Sequence, residues 1–415
     1  GAEASNLYRN SRGLQLHGSL LGKVGFYADL VETQQRFPAF WRASIEQRGA
    51  IPGEGFWKTF KDDGYDFANF RGYLTYSPIR QLRIKFGRDR NLWGQGSQSL
   101  LLSDHATDYL FLQLSAQFWK LQYTTLWAEF VDFIPFKPDA AGPQPRKYAA
   151  LRQLTFRPNR QLSFTLFEST LFAPQSNAGQ RAFELQYLNP LILYRTVEQY
   201  IGSPDNTLLG LQWKWNFLRQ FQFYGQLLLD DYNLGERENG PGWWGNKFGA
   251  QGGVKWIDAG GIETLDLQLE GNVIRPFTYT HFNLATTYSH YGQFLGHSLG
   301  TNLYDVNATV TYQPLPGVYT YLRYGYSTQG LNAAGVNTGG EVLNAQRPES
   351  LYNNTVAQGE ELTLHHLQGR VTYQVGRQPL YVDAEVLYRQ ANGATATQAA
   401  TLSLRYLLPW RATTW

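Results

Sequence analysis

Along most of the chain, apolar and polar residues alternate with a period of two. Leu82, Ile84 and Phe86 alternate with Arg83, Lys85 and Gly87, and Leu265, Leu267 and Leu269 with Asp266, Gln268 and Glu270. Leu209, Leu211, Trp213 and Trp215 alternate with Gln212, Lys214 and Asn216. The pattern recurs at 14–20, 24–30, 162–166, 306–312, 380–388 and 402–406. Successive side chains of a strand point to opposite faces of its sheet, so this period predicts strands. One face is apolar and aromatic; the other carries glutamine, glycine, threonine and charges of both signs. No segment shows a sustained helical period. The runs amount to about 17 strands of roughly 8 to 12 residues, longer than the usual globular strand.

The connections sort by length. Short ones fall near 77–80, 118–119, 157–160, 217–220, 258–262, 313–317 and 377–379. Long ones lie between them, near 34–64, 90–106, 131–145, 171–205, 231–245, 272–300 and 328–364. Strict alternation of short and long places every long loop at one end of an up-and-down meander. This is the pattern of a transmembrane antiparallel outer-membrane β-barrel, apolar side out and polar side in, and closure removes the exposed edges of a long sheet. A soluble all-β fold would also alternate along its strands but rarely sorts its loops by end. With the long loops outside, the first clear strand, from Gly13, runs downward. Single-chain bacterial barrels have even strand numbers, so a further strand is expected upstream of Gly13, for about 18 in all. The 415 residues are read as one barrel domain.

Composition narrows the chemistry. The chain has 36 basic and 33 acidic residues, which offers no electrostatic case for nucleic acid. It has no cysteine, which excludes disulfides, a thiol nucleophile and zinc-finger spacing. Aromatic residues make up 15% of the chain, yet mean hydropathy is −0.40, and no apolar run approaches the roughly 18 residues of a spanning helix. No methionine is present, so a leader removed before residue 1, or a start partway into a longer protein, is expected.

The stretch GRDRNLWGQGSQSLLLSD, residues 87–104, has the glycines and serines of a phosphate loop or a nucleophile turn. A phosphate loop needs a following helix, and a nucleophile elbow needs a strand-turn-helix context. A second strand follows here, so both enzyme readings fall away and the stretch becomes an extracellular connection.

Several segments in order, among them RGLQLHGSLLGKVGFYADLVETQ, IPGEGFWKTF, GYDFANFRGYLTYSP, FGRDRNLWGQGSQSLLLSD, LNPLILYRTVEQYIGSPDNTLLGL, WWGNKFGAQGGVKW and EGNVIRPFTYTH, resemble the capsule-assembly Wzi-like outer-membrane barrels. The resemblance covers about Arg12 to Gly300 and is nearest to the branch often labelled gliding-motility RemB. It implies an 18-stranded barrel and a non-enzymatic, lectin-like protein that holds capsular polysaccharide on the cell. The helical element at the barrel mouth of the enterobacterial relatives is not visible in this sequence.

Sugars are held by aromatic faces together with carboxylates, amides and arginines. Trp57, Trp93, Trp243 and Trp244 fall in predicted long loops, Arg88, Asp89, Arg90 and Asp104 bracket the second loop, and Asn246 and Lys247 follow the tryptophan pair. These ten residues are the candidate saccharide site; the alternative for the tryptophans is an interfacial girdle. The apolar loop 171–205, with Arg195 and Glu198, is expected to fold inward as a constriction, facing lumen groups such as Asp266, Glu270 and Arg275. Asp62, Asp63 and Asp66 lack the alternation of a calcium loop, and His365 and His366 should point to opposite faces. Asp266, Glu270, Asp383 and Glu385 face Arg83, Lys85, Arg323 and Arg405 as an expected cross-strand lattice rather than a hydrolase pair. No cofactor or metal is expected. The expected partners are outer-membrane lipid, surface or capsular polysaccharide and, in a second reading, envelope proteins of a motility or secretion complex. A third reading is a pore.

Overall fold

The computed structural model describes residues 6–132, 145–173, 175–176, 179–180, 185–189, 205–345 and 347–407. The alternating runs form seventeen long strands among them. These are β1 (Tyr8–Leu20), β2 (Val24–Arg36), β3 (Gly64–Ile79), β4 (Leu82–Asp89), β5 (Tyr109–Phe118), β6 (Leu121–Val131), β7 (Arg146–Phe156), β8 (Leu162–Phe172) and β9 (Asn206–Phe217). They continue as β10 (Phe221–Asp231), β11 (Lys247–Trp256), β12 (Leu265–Ile274), β13 (Leu303–Leu315), β14 (Val318–Leu331), β15 (Glu360–Gln374), β16 (Leu380–Ala391) and β17 (Thr397–Tyr406).

Each strand pairs antiparallel with the next, from Tyr8 opposite Arg36 to Leu380 opposite Tyr406. The three-residue strand Lys58–Phe60 folds back on β3, giving an 18-stranded sheet. Among the described residues β1 and β17 pair only with β2 and β16, so the two edges of this odd-numbered meander run in the same direction.

Alternation sets the two faces. Leu166, Val386 and Leu402 point outward and are 60%, 57% and 79% exposed, while Gln212, Gln226, Gln251 and Glu270 point inward and are buried. An apolar outside around a polar inside is stable only when lipid wets the outside. The connections keep the predicted order, short at one end and long at the other, except that 392–396, at the long-loop end, is a tight turn.

The long loop before β3 contains a helix, α1 (Ala39–Arg48), where the sequence shows no helical period. It is only ten residues long and shows the wall one short face, Trp41 and Ile45, four apart. Gly49 ends it in the left-handed region at φ 68°, its N–H donating to the Ile45 carbonyl at 2.7 Å. α1 lies inside the mouth, where Trp41 and Ile45 join Phe37, Ile51, Tyr65 and Phe67 in a cluster on the inner face of β3. Asp63, one of the three aspartates near Gly64, is salt-bridged to Arg36 and to Arg42 of α1.

Placing a cation on the outer face tests the assignment of sides. Val386→Arg is expected to cost about 2–4 kcal/mol if residue 386 lies near the bilayer midplane. Urea-dependent refolding into lipid vesicles measures it, and an unchanged midpoint would mean that this face does not meet lipid.

Candidate functional site

The glycine-rich connection 90–108 leaves β4 at the long-loop end and turns into the bore. There it meets Glu270, which projects inward from β12. The Glu270 carboxylate accepts the backbone N–H of Ser97 at 2.8 Å, the Ser97 hydroxyl at 2.9 Å and the Gln98 N–H at 3.1 Å. Tyr224 of β10 donates its hydroxyl from below at 2.7 Å. A Cβ on Gly96 would collide with this carboxylate, so glycine is what allows the approach. Next along the loop, Leu100 N–H donates to Gln226 at 2.8 Å, and Gln251 donates to the Gln98 carbonyl at 3.0 Å. The loop therefore does cradle an anion, one supplied by the barrel's own wall.

Once docked, the loop drives Leu100, Leu101 and Leu102 into a core of fully buried side chains. The wall supplies Leu126, Ala128, Phe130, Leu151, Phe167, Leu171, Leu208, Leu228, Ile274 and Leu303, an arc from β6 to β13. The loop 275–302 adds Tyr279, Tyr288, Phe294 and Leu295. Tyr279 donates to the Leu100 carbonyl at 2.9 Å, Tyr288 to that of Leu101, and Ser103 to that of Gly296 at 2.6 Å. Residues 50–54 link this plug to α1, because Gln293 bonds both Gly53 N–H (2.6 Å) and the Glu54 carbonyl (2.7 Å). The plug thus reaches from the β5–β13 wall to the β3 wall.

Four imidazoles sit in these inserted loops, those of His105, His281, His290 and His297. Burial pushes His105 and His290 down to about 3 and His281 to about 4. His290 Nδ1 accepts the Val131 N–H at 3.0 Å, while Nε2 faces the Asp108 carbonyl at 3.3 Å. That arrangement fits only the neutral Nε2–H tautomer; a proton on Nδ1 would confront the Val131 N–H.

The ten predicted saccharide residues separate into four settings. Trp93 lies in the core, 8% exposed and edge-on to Phe167, because its loop folds inward instead of over the mouth. Arg88 pairs with buried Asp108 and Asp89 with Lys85 at 3.0 Å, which fasten the rim of β4. Beside α1, Arg90 donates to the Gly53 carbonyl and lies 3.7 Å from Glu54; Trp57 packs edge-on to Tyr65 at 4.9 Å; Asp104 is exposed.

Trp243 and Trp244 form the fourth setting, with ring centroids 6.2 Å apart at 55°. Their loop is pinned from several sides. Trp244 N–H donates to the Leu351 carbonyl at 2.9 Å, its ring meets Phe277 edge-on at 5.5 Å, and Arg275 donates to the carbonyls of Trp243 and Asn354. Lys247 is buried and donates to the Thr280 carbonyl, and Asn246 accepts the Asn233 N–H. Both indoles remain partly exposed. Glu236 and Tyr352, unmarked in the sequence reading, complete this corner. Tyr352 donates to Glu236 at 2.7 Å and Asn239 at 3.0 Å, and these two bonds hold the exposed carboxyl below its usual range. The signal available was the run LYNN, 351–354, an aromatic-plus-amide mixture in another long loop.

Of the predicted lumen groups, Glu270 anchors the plug, while Arg275 serves backbone carbonyls instead of an ion pair. Asp266 caps the short turn at the opposite end by accepting the Asp258 N–H. Arg195 and Glu198 lie outside the described residues. One described stretch of that loop, Leu185–Leu188, lies on the outward side instead of in the bore. Trp127 donates to the Tyr187 carbonyl at 2.8 Å, and Tyr187 stacks on Phe172, both partners facing away from the lumen. Arg405 with Asp383 realises part of the expected lattice, Arg71 with Asp29 adds a pair outside it, and His366 points in while His365 meets outward Tyr324 and Tyr326.

A sheet of this topology, apolar outside and closed at the mouth by its own loops, defines an outer-membrane β-barrel. The family model described as capsule assembly protein Wzi matches residues 1–385, and the chain belongs to that family. Among solved structures, the chain resembles Wzi of Escherichia coli, described as an outer-membrane protein involved in group 1 capsule assembly and a carbohydrate-binding β-barrel. The TM-score is 0.61 at 16% identity, over 95% of this chain and 77% of that one. OpdK of Pseudomonas aeruginosa, solved with vanillate, gives a TM-score of 0.51 at 12% identity, over 96% and 92% of the two chains. At these identities the likeness is one of fold. A search of curated proteins found no match.

Two outcomes test the plug. Glu270→Ala leaves four donors without their acceptor, each worth about 1–3 kcal/mol when buried, so the loop should loosen and conductance in planar bilayers should rise above the parent's. Equal conductance would show that the cradle does not hold the plug. The second outcome concerns pH. The folded-state histidine values lie below the unfolded value of 6.5, so neutral imidazole favours the plugged state above about pH 6.5. That contribution is lost as pH falls toward about 4. Conductance should therefore increase between pH 7 and 4.5, with a shallower dependence in His290→Gln; a flat profile would rule the histidines out.

Proposed function

We propose that this barrel binds surface polysaccharide at its extracellular mouth and holds capsule on the cell without acting as an enzyme. The observation that carries this reading is the Trp243–Trp244 corner. Two adjoining indoles, held by backbone hydrogen bonds and partly open, offer apolar faces to the C–H surfaces of sugar rings. Glu236, Tyr352 and Asn246 surround them with groups able to fix hydroxyls. The ionised Glu236 carboxylate, with its pKa held low by two donors, suits an acceptor; a general acid would need the opposite shift. Arg90, Asp104 and Trp57, beside α1, provide a second edge along which an extended chain could run.

Family membership supports the same reading, since the related Escherichia coli protein is described as carbohydrate-binding. A passive pore fits less well, because a dry core of leucine, phenylalanine and tyrosine fills much of the upper bore. The partners of this reading are membrane lipid around the wall and polysaccharide at the mouth.

Replacing both indoles, Trp243→Ala with Trp244→Ala, should weaken binding of purified capsular polysaccharide by about tenfold or more. Calorimetric titration of the detergent-solubilised barrel reads it, with heat-modifiable gel migration to show that the barrel is intact. Affinity within twofold of the parent would remove the mouth from the mechanism.

A further inference from the structure

Cations that face the bore generally have a carboxylate beside them. Arg71 has Asp29, Lys85 has Asp89 and Arg405 has Asp383. Isolated inward lysines such as Lys255, which lies over the Tyr224 ring, do without one, but one patch gathers two such guanidiniums around an imidazole. Arg323 on β14 and Arg389 on β16 flank His366 on β15, and all three point inward. The register sets them together: His366 lies opposite Arg389 on one side and opposite Gly325 on the other, with Arg323 two residues further along the same face.

Arg323 is 4% exposed, and both its Nε and Nη2 donate to one neutral acceptor, the Asn307 side-chain carbonyl, at 3.2 and 2.8 Å. Arg389 is half-buried, and its guanidinium rests over the Phe40 ring of α1 at 4.4 Å. Among the described residues, neither arginine has a carboxylate partner. The acids of the same wall are engaged lower down, Glu385 by Gln368 and Asp383 by Thr372 and Arg405. Two guanidiniums about one imidazole, with no carboxylate among the described residues to neutralise them, form a local positive field in a low-dielectric wall. Arg389 is two residues from the long-loop end of β16, so the patch lies below the mouth and beneath α1.

We propose that Arg323 and Arg389, with His366 between them, form a binding subsite for an anionic substituent of the polysaccharide, a carboxylate or a phosphate. Guanidinium is the side chain suited to either, through paired N–H donors in one plane. The subsite rests on the polysaccharide reading above and adds to it that the bound glycan is acidic and enters under α1, away from the Trp243–Trp244 corner.

The test titrates the folded barrel in detergent with a hexuronic-acid oligomer and with its carboxyl-reduced, neutral counterpart. The acidic oligomer should bind more tightly. Arg389→Gln should lower its affinity by about tenfold while leaving the neutral oligomer unchanged, and Arg389→Lys should recover part of the loss. Arg323→Gln, at the buried position, should do the same wherever heat-modifiable migration shows a folded barrel. Should both oligomers bind equally and Arg389→Gln change neither, the subsite is overturned and the polysaccharide reading stands. Should neither oligomer bind the parent protein, both fail together. Competition separates the sources: displacement of the acidic oligomer by glucuronate supports the glycan subsite. Displacement by inorganic phosphate alone would assign a free-phosphate pocket and overturn it.

Discussion

A single buried carboxylate organises this barrel. Glu270 faces inward from the wall, where an unpartnered charge would cost several kcal/mol. Its partners come from 173 residues earlier in the chain, the N–H groups and hydroxyl of Ser97 and Gln98, with Tyr224 closing the set. Satisfying that charge brings the loop 90–108 into the bore. The three leucines that follow are then committed to the interior, and they need apolar surface to meet. The wall arc from β6 to β13 and the loop 275–302 supply it. The mouth therefore rests on a packed core instead of hanging over a water-filled channel.

That requirement reaches back into the strands. In a simple channel every inward position would be polar. Here most upper inward positions of β6 to β8 are apolar, Leu126, Ala128, Phe130, Ala149, Leu151, Phe167 and Leu171, with Lys147 and Ser169 the buried polar exceptions, whereas the lower inward positions keep threonine and glutamine. The corresponding segments, LWAEFV at 126–131 and AALRQL at 149–154, carry apolar residues on both sides of the strand, interrupted by Glu129, Arg152 and Gln153, and such runs mark a strand covered on both faces. Departure from alternation at the long-loop end was thus a readable sign of the plug, written in the wall instead of in the loop.

The barrel itself was legible because its signals are local. Period two follows from the pleat, and the sorting of loop lengths follows from a meander. What lay beyond reach depended on contacts across the bore. Nothing near Gly94 and Gly96 in sequence marks Glu270 as their partner, so their stretch looked like an exposed connection. α1 hid because ten residues with two wall-facing side chains do not establish a period. Trp93 and Trp243 are equally aromatic and equally loop-borne, yet one closes a core and the other faces the mouth. Only the direction of the loop separates them, and a carboxylate on a distant strand sets that direction.

The same constraint shapes how the mouth can bind. A sugar chain offers weak contacts spread over many rings, so little affinity is left if the protein must also order its loops. Here that ordering accompanies folding: the Trp243–Trp244 loop is tied to 350–354, to Arg275 and to Phe277, and Phe277 hydrogen-bonds Gly339 of a further loop. Several connections that would be separate on an ordinary porin brace one another. On the polysaccharide reading proposed above, a bore filled by its own loops favours a braced binding platform over the passage of solutes.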